Sequence, residues 1–102
     1  MTEILVDKAY LNRSTFSYLN NIESVDCSNM EWYGNTMAYA FSNCKNLKTV
    51  TNINENVTNM YSAYSFCCNM TNVPPIPNKV TNMMSTFRGC TNMVGEPIVP
   101  NG

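Results

Sequence analysis

A repeat of 23 residues is the feature that most constrains how this chain can fold. Val57-Thr58-Asn59-Met60 recurs as Val80-Thr81-Asn82-Met83, and positions 34 to 102 align at this step without a gap. Other side chains recur at the same step, in the columns Phe41, Tyr64 and Phe87; Cys44, Cys67 and Cys90; Met37, Met60 and Met83; Leu47, Met70 and Met93; and Ile53, Ile76 and Val99. A unit this short cannot bury its apolar side chains alone, so we expect neighbouring units to pack together.

The N-terminal part of the chain follows the repeat less closely. Phe16 and Leu19 match Phe41 and Cys44 at a step of 25 residues, which places a two-residue insertion between Val25 and Met30. An irregular first unit is typical of the end of a repeat array. The predicted organisation is a single domain with these parts: an N-terminal cap and degenerate first repeat at 1–33, then repeats at 34–56, 57–79 and 80–102.

The spacing of apolar residues within one repeat suggests two kinds of local structure. Met60, Tyr64 and Cys67 are separated by four and then three residues, which is the spacing of one face of a short helix or helical turn. The following residues, 70–76, contain Pro74 and Pro75, which favour a short extended segment with loose pairing. We therefore predict an α/β repeat solenoid of about four coils, each with a short extended segment and a short helical turn.

The combined pattern resembles a known class of repeats. Cys-x-x-Leu/Met-x-x-Val-x-x-Ile, followed by Val-Thr-Asn-Met-x-x-x-Phe-x-x-Cys, is similar to the BspA-like bacterial leucine-rich repeats and to the related repeats of mycoplasma-type surface lipoproteins. The resemblance covers residues 11 to 102 and departs at Val73 and Ile76, which are three residues apart where the family usually has two. It implies a leucine-rich-repeat-like fold and a non-catalytic recognition or adhesion module that binds a protein or glycan. Such modules belong to bacterial surface or phage proteins.

Composition argues against most catalytic and charged-ligand functions. The chain has no histidine, and so it lacks the commonest general base and metal ligand. Its formal net charge is -1, which gives no reason to expect nucleic acid as a partner. The acidic residues do not recur in one column, so no catalytic carboxylate pair is visible. We predict that the protein is not an enzyme and has no cofactor and no metal site.

Five cysteines are present, which is an odd number, and none forms a Cys-x-x-Cys pair. The column of Cys44, Cys67 and Cys90 is interpreted as a buried row of free thiols, since free cysteine is among the most buried residue types. A disulfide or a metal role for this column is the alternative.

Four aromatic residues are candidates for partner contact: Trp32, Tyr33, Tyr39 and Tyr61. Trp32 and Tyr33 lie in or beside the insertion of the first repeat, and Tyr39 and Tyr61 stand outside the apolar columns. Aromatic side chains outside the core are frequent anchors of partner binding. The alternative for Trp32 and Tyr33 is that they fill the N-terminal cap.

The last repeat keeps the full apolar pattern of the preceding ones. We therefore expect an open edge at this end, formed in part by Met93 and Val99. Either the protein continues beyond this edge, or the edge pairs with another chain, for example in a homodimer. This edge also supports the second functional hypothesis, a structural module that stacks end to end in a larger virion or surface complex.

The sequence shows neither a signal-peptide pattern nor a membrane-helix pattern. The N-terminus has no basic region followed by an apolar run, so we identify no signal peptide. No apolar stretch approaches the roughly 18 residues of a membrane helix, so no membrane insertion is expected. The resemblance to BspA-like repeats implies a location that is extracellular or virion-associated, as part of a larger protein.

Overall fold

Short parallel strands organise the first half of the chain. The computed structural model describes residues 3–5, 9–11 and 16–94. Its regular elements are β1 (Glu3–Leu5), β2 (Ala9–Leu11), β3 (Ser24–Asp26), β4 (Met30–Trp32), a 3-10 helix (Tyr33–Asn35) and β5 (Thr49–Thr51). They form one sheet in the order β1-β3-β5 and another in the order β2-β4. All pairings are parallel, with Val25 opposite Val50 in the first sheet.

The prediction of an α/β repeat solenoid built from extended segments and helical turns is wrong. No α-helix occurs in the described ranges, and every strand has only three residues. The chain is a small, compact fold with a radius of gyration of 12.1 Å, close to the ~13 Å expected for a globular domain of about 100 residues.

Left-handed residues explain why the predicted helical turns are absent. The segment 60–67 instead forms two tight turns, Met60–Ala63 and Tyr64–Cys67, each closed by an N–H to C=O hydrogen bond between its ends. The third residues of these turns, Ser62 and Phe66, have φ values of 52° and 62°. A residue in the left-handed region at this position is the mark of a type II turn, and it stops a right-handed helix from continuing.

The turns of successive repeats are joined by a ladder of backbone hydrogen bonds. Alternate N–H groups of one repeat donate to carbonyls of the next, in the pairs Met37 to Asn59, Tyr39 to Tyr61, Phe41 to Ala63, Asn43 to Ser65, Met60 to Asn82, Ser62 to Met84, Tyr64 to Thr86 and Phe66 to Arg88. The N–H groups between them close turns within their own repeat, as Ala63 does by donating to Met60. In these turns the N–H groups of one repeat donate to the following repeat, whereas just before the turns the N–H groups of Thr58 and Thr81 donate back to the carbonyls of Asn35 and Thr58.

The repeated Val-Thr-Asn-Met sequence has a local role before these turns. Asn59 forms isolated parallel β-bridges with Thr36 in the preceding repeat and with Asn82 in the following one. The side-chain oxygen of Asn59 accepts a hydrogen bond of 2.9 Å from the N–H of Tyr61, and Asn82 accepts one of 3.0 Å from Met84. Such bonds from a residue to the backbone two positions later favour a turn.

Two prolines keep the first sheet from gaining a further strand. Residues 72–75 form no strand, and together with residues 48–51 they line a cavity of about 180 Å³. Pro74 and Pro75 have no N–H group to donate to a neighbouring strand. The sheet therefore has an edge at β5.

A column of aromatic rings forms the centre of the core. The rings of Phe16, Phe41, Tyr64 and Phe87 stack nearly parallel, with centroids 5.3, 5.7 and 5.6 Å apart. Phe41 and Tyr64 are fully buried, whereas Phe87 is half-buried. The predicted aromatic column is confirmed, with its last ring only partly covered.

The cysteine column lies beside the rings and repeats the same contact. The thiols of Cys44, Cys67 and Cys90 donate to the carbonyls of Phe16, Phe41 and Tyr64 over 3.0, 3.1 and 3.1 Å. Burial raises the pKa of Cys44 to about 11 and holds those of Cys67 and Cys90 above the ordinary thiol value. Thiols in this environment are protonated and act as small core side chains.

Replacement of Tyr64 by phenylalanine should stabilise the fold. The Tyr64 hydroxyl is buried, and no described residue forms a hydrogen bond with it. Its counterparts Phe41 and Phe87 have no hydroxyl. Removal of an unpaired buried polar group should raise the free energy of unfolding by about 1 kcal/mol. Urea unfolding of the Tyr64→Phe variant measures the change. A loss of stability would show that the hydroxyl is paired in solution.

Candidate functional site

A groove of about 410 Å³ runs across the turns of the repeats. Its lining comes from four successive parts of the chain: Ser17 and Tyr18; Tyr39, Ser42 and Asn43; Tyr61, Ser62, Ser65 and Phe66; and Ser85 and Arg88. Because the turns of neighbouring repeats lie side by side, residues far apart in sequence meet along one surface. We call this surface the tyrosine–serine groove.

Aromatic side chains supply most of the apolar surface of the groove. The rings of Tyr39 and Tyr61 meet edge to face, with centroids 5.2 Å apart. Tyr18 and Phe66 are 69% and 43% exposed. Large aromatic side chains left in contact with solvent are well suited to bury area against a partner.

The backbone at the groove is held in an unusual conformation. Among the described residues, eight other than glycine have a positive φ, and six of these line the groove, namely Tyr18, Tyr39, Asn43, Ser62, Phe66 and Ser85. For bulky side chains such as Tyr18 and Phe66, the left-handed region costs roughly 1–2 kcal/mol per residue. The ladder of hydrogen bonds to the next repeat holds them there, since the N–H groups of Tyr18, Tyr39 and Phe66 all donate to it. Such residues concentrate at functional sites.

Serine hydroxyls form the polar part of the groove. The hydroxyls of Ser42 and Ser65 are 2.9 Å apart in a buried hydrogen bond, and Ser65 also lies 3.1 Å from the carbonyl of Ser62. Ser17 donates to the carbonyl of Tyr39 over 2.6 Å. These bonds tie neighbouring repeats together, so the floor of the groove is already ordered before a partner binds.

Arg88 is the one charged residue among those that line the groove. Its guanidinium carbon lies 5.8 Å from the centre of the Phe66 ring, within cation–π distance. Gly89 follows it with a φ of 75°, and a Cβ atom there would meet the Phe66 ring. The glycine therefore leaves room for the ring on which Arg88 rests.

The four predicted contact residues lie in three different places in the structure. The structure brings Tyr39 and Tyr61 together in the groove, whereas Tyr33 is 71% exposed but does not line it. Trp32 is only 4% exposed and packs edge to face against Phe16 and Phe41, so it belongs to the core and cannot offer a contact surface. This placement follows the alternative interpretation for Trp32, that it fills the N-terminal end.

Sequence reasoning missed Tyr18, Phe66, Arg88 and the serines of the groove. One available signal was the recurrence of Ser42 as Ser65, and of Ser62 as Ser85, at the repeat step. Tyr18, Asn43, Phe66 and Gly89 share a turn position but differ in chemistry, so their sequence alone did not link them.

The predicted open edge is described only in part. Met93 is half-buried and packs against the core, and Val99 lies outside the described residues. Asparagine also recurs at the 23-residue step, as Asn46, Asn69 and Asn92. Asn69 donates to the Asn46 side chain over 3.2 Å, and Asn92 donates to the Cys68 carbonyl over 2.7 Å, so both bond to the preceding repeat.

Searches of the described residues found no group of three or more cysteine and acidic side chains placed to hold a metal ion. In the same part of the chain, no helix has the length and apolar character needed to cross a membrane. Comparison of the chain with known protein families, curated proteins and solved structures gave no match. The groove is therefore interpreted from its own chemistry.

Proposed function

We propose that this protein is a non-catalytic recognition module that binds a protein partner through the tyrosine–serine groove. The observation that carries the proposal is the concentration of tyrosine, serine and left-handed backbone along one groove with a volume of about 410 Å³. The resemblance of the repeats to BspA-like modules supports the same class of function. On that resemblance, the setting is a bacterial surface or phage protein.

The composition of the groove favours a protein over other ligands. Tyrosine provides large contact area at low cost in conformational entropy, while serine and asparagine provide adaptable hydrogen bonds. Arginine is the charged residue most often found at the energetic centre of an interface. Binding surfaces that recognise proteins combine these residue types, and the groove holds three tyrosines, five serines, Asn43 and Arg88.

The same lining gives little support for catalysis. It contains no carboxylate, thiol or lysine, and the hydroxyls of Ser17, Ser42 and Ser65 are bonded to one another or to backbone carbonyls. A serine nucleophile needs an adjacent base to accept its proton. The groove is better suited to hold a partner than to transform one.

An unbiased selection of binders tests the proposal. Displayed peptide and small-domain libraries are selected against the wild-type protein, and each binder is measured against Tyr61→Ala and Arg88→Gln. We expect most binders to lose about tenfold or more in affinity with either variant, as for central interface residues. Tyr33→Ala is the matched control, because Tyr33 is an exposed tyrosine outside the groove.

Two results would contradict the proposal. Binders that depend on Tyr33 as often as on Tyr61 would show that the groove is not a preferred surface. A glycan array run in parallel provides the other result. Groove-dependent binding to glycans, with no groove-dependent protein binders, would assign the site to a carbohydrate.

A further inference from the structure

Arg88 takes the fourth place in a column of serines that runs along the tyrosine–serine groove. Ser42, Ser65 and Arg88 follow one another at the 23-residue step, and Ser17 precedes Ser42 by 25 residues, the step of the first repeat. The hydroxyls of Ser42 and Ser65 bond to each other, and Ser17 donates to a backbone carbonyl of the next repeat. The three serines thus tie repeats together, whereas the Arg88 guanidinium lies over the exposed ring of Phe66.

The position of Arg88 keeps its hydrogen-bond donors directed away from the core. The Phe66 ring contacts the face of the guanidinium, and a guanidinium stacked in this way keeps the N–H groups at its edges available. The backbone holds the two residues together, because the N–H of Phe66 donates to the Arg88 carbonyl over 2.6 Å. Within the described residues, the guanidinium forms neither an ion pair nor a hydrogen bond.

The groove carries a positive charge that its own lining does not compensate. None of the acidic side chains of the described residues lines it. Glu23 and Asp26 have partners elsewhere, in Lys48 over 3.7 Å and in the side chain of Asn52 over 3.1 Å. A partner that brings a negative charge to Arg88 therefore complements the groove.

The number of cations decides which anion fits this position. A phosphate group carries nearly two negative charges and is normally recognised by a cluster of arginines. The groove has one arginine, and no lysine lines it. A single planar guanidinium matches the two oxygens of a carboxylate, which it binds through two parallel hydrogen bonds.

We propose that the partner of the groove is an acidic protein segment, in which an aspartate or glutamate carboxylate binds Arg88 and a neighbouring apolar side chain packs on Tyr39 and Tyr61. This inference rests on the proposed function, since it names the chemistry of the partner that the groove recognises. The tyrosine rings supply contact area for any protein partner, whereas Arg88 selects for negative charge.

The selected peptide and small-domain binders that lose affinity with Tyr61→Ala are the probes for this inference. We expect them to contain more aspartate and glutamate than the starting libraries. Replacement of the critical acidic residue of a binder by its amide should weaken binding to the wild-type 102-residue protein about tenfold, as for loss of a hydrogen bond to a charged group. The same replacement should have little effect on binding to Arg88→Gln, because the pair is already broken in that variant.

Two further variants distinguish a carboxylate contact from general attraction between charges. Arg88→Lys keeps the charge but loses the paired hydrogen bonds, so its affinity for acidic binders should lie between those of the wild type and Arg88→Gln. Lys45→Gln removes the same charge from an exposed residue outside the groove and should bind like the wild type.

The outcomes separate this inference from the proposed function. Tyr61-dependent binders without an acidic residue, or with one that matters equally in the wild type and in Arg88→Gln, would overturn the inference and leave the proposed function standing. A complete absence of Tyr61-dependent protein binders would overturn both. Groove-dependent binding confined to carboxylate-bearing glycans would also overturn both.

Discussion

Replacement of Phe41 by alanine should lower the free energy of unfolding by about 3–5 kcal/mol, the usual range for loss of a buried phenylalanine. Phe41 is fully buried and stacks between Phe16 and Tyr64, and it also meets the edge of Trp32. Removal of this ring would leave a cavity bounded by other rings that cannot all move to fill it. Urea or thermal unfolding followed by far-ultraviolet circular dichroism measures the loss.

Phe87→Ala is the matched control, because Phe87 occupies the same column but is half-buried. Among the described aromatic rings, only Tyr64 stacks on it. We expect a smaller loss, since less apolar area is removed from the core. Equal losses for the two variants would contradict the burial gradient along the column.

The protein should lose stability steeply as the pH rises above about 9. Burial raises the pKa of Cys27 to about 12 and that of Cys44 to about 11, from an ordinary value of 9.0. Burial also holds the pKa values of Cys67, Cys90 and Tyr64 above their ordinary values. These acids keep their protons in the folded state after the unfolded chain has lost them.

The sign follows from proton linkage. A raised pKa in the folded state means that the stabilising contribution is complete below the unfolded pKa and disappears as the pH rises towards the folded pKa. Each such group removes up to about 1.4 kcal/mol of unfolding free energy per pH unit in that window. With several thiols titrating together, the loss between pH 9 and pH 11 is expected to be among the largest effects of any change in conditions.

Thermal unfolding at several pH values between about 7 and 11 measures this dependence. The double variant Cys44→Ala/Cys67→Ala should show a shallower decline, whatever its stability at neutral pH. Cys68→Ala is the control for the loss of a thiol, because Cys68 lies one residue outside the buried column. An unfolding free energy that stays constant up to pH 11 would mean that these thiols are not buried as described.

Part of the candidate site could be predicted from the sequence. Tyr39 and Tyr61 were recognised because they stand outside the apolar columns, and the structure places their rings in contact. Trp32 was also a candidate for partner contact, but it lies in the core, because β4 places it against Phe16 and Phe41. Arg88 and Phe66 escaped notice because their meeting depends on Gly89, which leaves space for the ring.

The repeat pattern was sufficient to predict which side chains of the repeats face inward. The 23-residue step identified the columns of Phe41, Tyr64 and Cys67, because a buried position must be apolar or small in every repeat, whatever backbone carries it. The conformation of the backbone in these turns depends on contacts between repeats. A spacing of four and three residues fits a helical turn and also fits two tight turns, so periodicity could not distinguish them. The N–H groups of Ser62 and Phe66 donate to Met84 and Arg88 in the next repeat, and these distant bonds hold both residues in the left-handed region. Because that choice depends on hydrogen bonds between repeats rather than on neighbours in sequence, the turns and the groove they form became visible only in the folded chain.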